Sequence, residues 1–190
     1  GKWAWRGCLN HTAHADGGIR AQTFRLCCFR SSCPVCSEKW AKRCTARIMD
    51  RLTHSKKNLK YLKHVVVSPP KWLQYKPIEE LRKEARKIAK RAGILGGLDI
   101  VHPFRERNGQ WYLSPHFHYL ALGWVTKTDE LFQKNGWLVK NIGIRENPVG
   151  TISYLLSHAG IKKRRHTVTW FGDLSYSKLK IEKLEFKTKC

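Results

Sequence analysis

The sequence predicts an α+β fold: a mostly antiparallel central sheet with helices packed on it, preceded by a small zinc-binding unit. Three observations carry this expectation. Strand-like and helix-like segments alternate without a strict strand–helix–strand rhythm, which argues against a doubly wound parallel sheet. The helical segments carry single apolar stripes, as helices lying on a sheet do. The first quarter of the chain lacks that periodicity and is crowded with cysteines instead. The expected division is a zinc-binding unit over 1–55 and a larger α+β domain over 56–190.

Residues 37–54 read as a helix. Ser37 is placed to cap it, and Trp40, Cys44, Ile48 and Leu52 recur at helical spacing. A basic linker, 55–60, follows. The β-branched run 61–68 is a strand ended by Pro69-Pro70. Residues 77–92 form a helix with Pro77 in the first turn and Ile78, Leu81, Ala85, Ile88 and Ala92 on one stripe. Gly93 is its stop. Strands are expected over 97–104 and 111–123, the latter broken near its start by Ser114-Pro115. A short helix over 128–135 and a strand over 137–145 come next. The helix 148–159 opens at Pro148 and closes at Gly160, and a last strand covers 166–171.

Composition narrows the function classes. The 190 residues are 42% hydrophobic, enough for a folded core. Lys and Arg total 37 against 14 acidic residues, a formal charge of +23. That excess implies a polyanionic partner, most simply nucleic acid. No run approaches the roughly 18 apolar residues of a membrane span, and no signal-peptide pattern is present, so a cytoplasmic setting is expected. A chain running from Gly1 to Cys190 is expected to be a fragment.

Six of the seven cysteines lie before residue 45. In a cytosolic protein, such a cluster argues for metal rather than disulfides. Cys28, Cys33 and Cys36, in the run CFRSSCPVC, have the spacing of zinc ligands; a redox-active pair is the alternative. Cys8 is the first choice for the fourth ligand, with His11, His14 and Cys27 as alternatives. Cys44 reads as a small buried hydrophobe.

The chemistry concentrates further on. In the strand segment PHFHYL, alternate side chains share a face, so His116 and His118 project together. Two imidazoles side by side are a ready pair of metal ligands; the plainer alternative is a polar patch. His102, on the preceding strand, completes a triad if the two strands pair. On the helix 148–159, Val149, Ile152, Leu155, Leu156 and Ala159 form one apolar arc. Tyr154 and His158 fall roughly opposite it, one turn apart. A tyrosine off the core face is either a rim residue or a side chain free to enter a cleft. There a phenol can attack a phosphodiester whose charge a divalent ion stabilises.

The segments SPHFHYL and YLLSHAG, in that order, resemble the HUH endonucleases, most closely the rolling-circle replication initiators of archaeal plasmids and viruses. The run His64 to Ser68 is similar to their first motif, and the cysteine cluster to the zinc unit preceding the nuclease in some of them. The resemblance implies nicking and joining of single-stranded or hairpin origin DNA, leaving a 5′-phosphotyrosine and a free 3′-OH. It also implies Mn2+ or Mg2+ on His116, His118 and His102, with Tyr154 as nucleophile. Many relatives carry a lysine three or four residues after the tyrosine. Here those positions are Ser157 and His158, so His158, or a base among Lys162, Lys163, Arg164 and Arg165, is expected to substitute. Glu146 is a candidate base for a second turnover, and Tyr176 a weaker alternative nucleophile. Lys39, Lys42, Arg43, Lys56, Lys57, Lys60, Lys162, Lys163, Arg164 and Arg165 are expected to meet phosphates, with plain solvated faces as the alternative; the cations of helix 77–92 either grip DNA or solvate its outer face. Trp3, Trp5 and Trp72 are expected to stack on unpaired bases. A single-strand transposase and a noncatalytic zinc-containing nucleic-acid-binding module are the alternatives.

Overall fold

The computed structural model describes residues 3–7, 21–25, 33–55, 57–159 and 166–181. In chain order the elements are β1 (Trp3–Gly7), β2 (Ala21–Arg25), α1 (Pro34–His54), β3 (Lys63–Ser68), α2 (Ile78–Arg91), β4 (Ile94–Arg107), β5 (Gln110–Gly123), α3 (Thr128–Asn135), β6 (Leu138–Ile144), α4 (Pro148–Ala159) and β7 (Val168–Gly172). β1 and β2 pair antiparallel. The other five strands form one sheet in the order β6-β3-β5-β4-β7, every neighbouring pair antiparallel. The predicted α+β class holds. The expected zinc unit falls mostly outside the described residues, as do Cys8, His11, His14, Cys27, Cys28 and the basic run 162–165.

Alternation along the strands sorts the core into two layers. Val65, Val67, Val101, Phe117 and Tyr119 pack with Leu81, Ala85 and Ile88 of α2 on one face. Their strand neighbours Leu98, Ile100 and Leu120 pack on the other face with Ile48 and Leu52 of α1 and Ile152, Leu155 and Leu156 of α4. A period-2 pattern buried on both faces needs helices on both faces, and the three helical stripes supply them.

Two anchors fix helices to the sheet. Asp99 on β4 is fully buried and pairs with Arg82 Nε at 2.9 Å and Arg86 Nη2 at 2.7 Å, while Thr169 Oγ1 on β7 donates to it at 2.8 Å. On the other side, Arg51 of α1 donates to the carbonyls of Leu174, Ser175 and Leu179, holding the turn after β7. Arg82 is therefore committed to the core and is not the DNA-gripping residue that its place in a basic helix suggested.

Three local expectations are corrected. α1 starts at Pro34 with Cys33 at its N-cap, so Ser37 sits in the first turn, its N–H given to the Cys33 carbonyl at 2.9 Å. Proline's fixed φ at the first helical position sets the start earlier. Ser114-Pro115 does not break β5. The ladder shifts register opposite Pro103, between the His102–His116 and Phe104–Leu113 pairs, and absorbs the irregularity as a bulge. β4 and β5 consequently run on to a tight turn at Asn108 and Gly109, both at positive φ, much longer than the strand expected over 97–104.

Candidate metal centre

The β4–β5 register sets His102 directly opposite His116, and His118 shares the face of His116 two residues on. The three rings meet at centroid distances of 5.3 Å (102–116), 4.3 Å (102–118) and 4.9 Å (116–118). One nitrogen from each lies within 4.8 Å of the others, the one such cluster of three ligand-type side chains among the described residues. Pairing of the two histidine-bearing strands is what the sequence reading required.

The hydrogen bonds decide which nitrogen each ring offers. His116 Nδ1 lies 2.8 Å from the Ser114 carbonyl, and His102 Nε2 lies 2.8 Å from the Leu155 carbonyl. A carbonyl only accepts, so both nitrogens carry their proton. The lone pairs are then on Nε2 of His116 and Nδ1 of His102. His118 Nδ1 is 2.8 Å from His64 Nε2, while His118 Nε2 is buried without a hydrogen-bond partner among the described residues. An orphaned imidazole nitrogen facing two other lone pairs fits a cation. Every ring is thus held from behind by an outer partner, as metal-binding histidines are.

Electrostatics favour the neutral, ligating form. Burial pushes His116 and His64 down to about 4, helped by Arg105 and His102 around His116 and by Arg145 near His64. Burial depresses His118 further still, with the other histidines and Arg105 adding to it. His116 and His118 are thus biased toward the neutral form, the form in which an imidazole binds a metal.

α4 brings the tyrosine. Its arc of Ile152, Leu155, Leu156 and Ala159 is buried, and Tyr154 stands on the other side at 62% exposure. The Tyr154 ring packs on His158 at 4.3 Å, and His158 lies over His102 at 6.4 Å. His158 Nδ1 donates to the Tyr154 carbonyl at 2.9 Å, which leaves the lone pair on Nε2. Because His102 is bonded to the carbonyl of Leu155, the residue after the tyrosine, α4 is tied directly to the metal-ready cluster. Ring contacts therefore run from Tyr154 through His158 to His102, the member of the triad nearest α4. Tyr176 lies elsewhere, its ring against Arg51.

Two neighbours were not singled out from sequence. His64 was read only as the start of a strand motif and given no role of its own, because its meeting with His118 needs the β3–β5 pairing. Arg105 reaches across to Ser68 Oγ at 3.1 Å on the metal side of the sheet. Cys33 is half-buried and Cys36 buried at the start of α1, where Pro34 and Ser37 line a groove of about 370 Å3 with Ser153 and Ser157 of α4. The cysteine-bearing end of α1 is thus beside the tyrosine helix.

Comparisons with family models, curated proteins and solved structures return no match. The reading of this site stands on its geometry.

Proposed function

We propose that the chain is a metal-dependent DNA nicking and joining enzyme of the HUH type, in which Tyr154 is the nucleophile and which initiates rolling-circle replication. The observation that carries this reading is the chain of contacts from Tyr154 through His158 to His102, beside three imidazoles whose ligand atoms lie within 4.8 Å of one another. His102, His116 and His118 hold the ion. An all-nitrogen donor set suits Mn2+ or another borderline transition ion better than Mg2+, which prefers oxygen ligands. The bound ion supplies charge stabilisation at a phosphate oxygen.

The chain's own residues do the rest. Tyr154 Oη attacks the phosphorus of a single-stranded phosphodiester, forming the Oη–P bond. The bond from phosphorus to the 3′ oxygen breaks, and that oxygen leaves as a 3′-OH with a proton taken from solvent water. His158 Nε2 receives the phenolic proton. The reverse attack by a 3′-OH rejoins the strand without a further energy source. The net charge of +23 draws the polyanion, and Lys162, Lys163, Arg164 and Arg165 belong to that attraction. Cys8, Cys28, Cys33 and Cys36 are the ligands of a structural zinc in this reading.

The test is incubation of the protein with pooled single-stranded oligonucleotides and Mn2+, followed by mass spectrometry of any conjugate. The modified residue is expected to be Tyr154. Tyr154→Phe should abolish the adduct and leave binding largely unchanged. An adduct on another residue, or one that persists in the Phe variant, removes the assignment; binding without any adduct favours the noncatalytic alternative.

A further inference from the structure

The β4–β5 ladder outruns its neighbours. β3 pairs with β5 only as far as Phe117, and β7 pairs with β4 only from Gly96 to Ile100. Beyond the His102–His116 pair the two strands continue alone, through Phe104–Leu113, Arg105–Tyr112, Glu106–Trp111 and Arg107–Gln110, as a two-stranded arm. A free two-stranded ribbon is marginal in water, and its side chains are unusual for a solvent-facing segment: Phe104, Trp111, Tyr112 and Leu113 are all exposed.

The arm has two sides. Phe104 and Leu113 line a groove of about 390 Å3 with Tyr75 and Val101, on the α2 side. Arg105 turns to the metal side, as its bond to Ser68 shows. Tyr112 is its cross-strand partner, and directly opposed residues share a face. A guanidinium and a phenol ring are therefore presented together, next along the ladder from the metal-ready histidines.

We propose that this arm holds the DNA strand beside the reacting phosphate, Arg105 taking a neighbouring phosphate and Tyr112 stacking on an unpaired base. The inference rests on the DNA-nicking reading and adds the element that positions the substrate. Guanidinium forks suit phosphate oxygens, and an exposed aromatic ring accepts any base that is not already stacked in a duplex. No lysine follows Tyr154 on α4, and Arg105 puts a fixed positive charge on the same side of the sheet.

The experiment measures binding of a short mixed-sequence single-stranded oligonucleotide, and of its duplex, by fluorescence anisotropy with Mn2+ present. Every protein carries Tyr154→Phe so that no adduct accumulates. Arg105→Ala should weaken single-strand binding and lower the salt slope of log affinity by about 0.7. Tyr112→Ala should weaken single-strand binding roughly fivefold to 150-fold and leave the duplex unchanged. Lys134→Ala, which removes one exposed charge from α3, should do little to either. Circular dichroism melts show whether each variant is folded, and Tyr112→Phe, which keeps the ring, should restore binding. If Tyr112→Ala binds single strands like its parent, or if Lys134→Ala costs as much as Arg105→Ala, the arm has no such role and the nicking reading survives. If the parent binds neither DNA, the nicking reading falls and the arm assignment with it.

Discussion

His64 shows how much rests on a single side chain. It makes no proposed contact with the ion, yet its Nε2 meets His118 Nδ1 at 2.8 Å and so fixes which His118 nitrogen faces the cluster. Loss of such an outer partner generally costs 10–100-fold in metal affinity, on the order of the ordering it supplies. His64→Phe should therefore weaken Mn2+ binding by about that factor in calorimetric titration. His64→Gln, whose carbonyl oxygen can still accept from Nδ1–H, should recover part of it. Equal affinities for all three proteins would remove the supporting role. The sequence displays His64 plainly, but nothing local says which strand it will lie beside. His116 and His118 are different, because the two-residue period of a strand puts them on one face whatever the sheet order is.

At the scale of elements, the helices carry the site's precision. α4 is amphipathic in the ordinary way, and that one property both buries Leu155 and leaves Tyr154 outside. What ties α4 to the cluster is a backbone group, the Leu155 carbonyl, which no side-chain pattern reveals. α2 is held by the buried Asp99 with Arg82, which is 2% exposed, and Arg86. Truncating one partner of a buried pair strands the other's charge, at a cost of about 3–5 kcal/mol. Asp99→Ala should lower unfolding stability by about that amount in urea titrations; a change under about 1 kcal/mol would mean that solvent or other groups already satisfy the arginines. The helix's strong stripe foretold that it packs on the sheet. It did not foretell that two of its arginines turn inward, because the acid they meet lies on a strand that a sequence pattern reads as merely apolar.

For the whole molecule, the histidines couple stability to pH. His64 and His116 are pushed down to about 4 from an ordinary 6.5, chiefly by burial. Between those values the unfolded chain binds protons that the folded chain refuses, so the stability contributed by neutral burial is present above pH 6.5 and lost as the pH falls toward 4. Metal-free protein should show a falling melting temperature across that window, and the fall should be smaller for the double variant His64→Gln/His116→Gln. A steeper fall in the double variant would contradict the assignment. Among the described residues no helix is long and apolar enough to cross a membrane.

The sequence by itself determined the class of fold, the approximate helices and strands, the face shared by His116 and His118, and the solvent side of Tyr154. These follow from local periods of 2 and 3.6 residues, which need no knowledge of neighbours. Only the tertiary structure decided that β4 and β5 pair in the register that sets His102 against His116, that His64 stands behind His118, that α4 docks through a carbonyl, and that the β4–β5 ladder projects as an arm with Arg105 on the metal side. Each of these is a meeting of residues far apart in the chain. Such meetings are fixed by burial and hydrogen bonding of the assembled sheet rather than by any pattern along one segment.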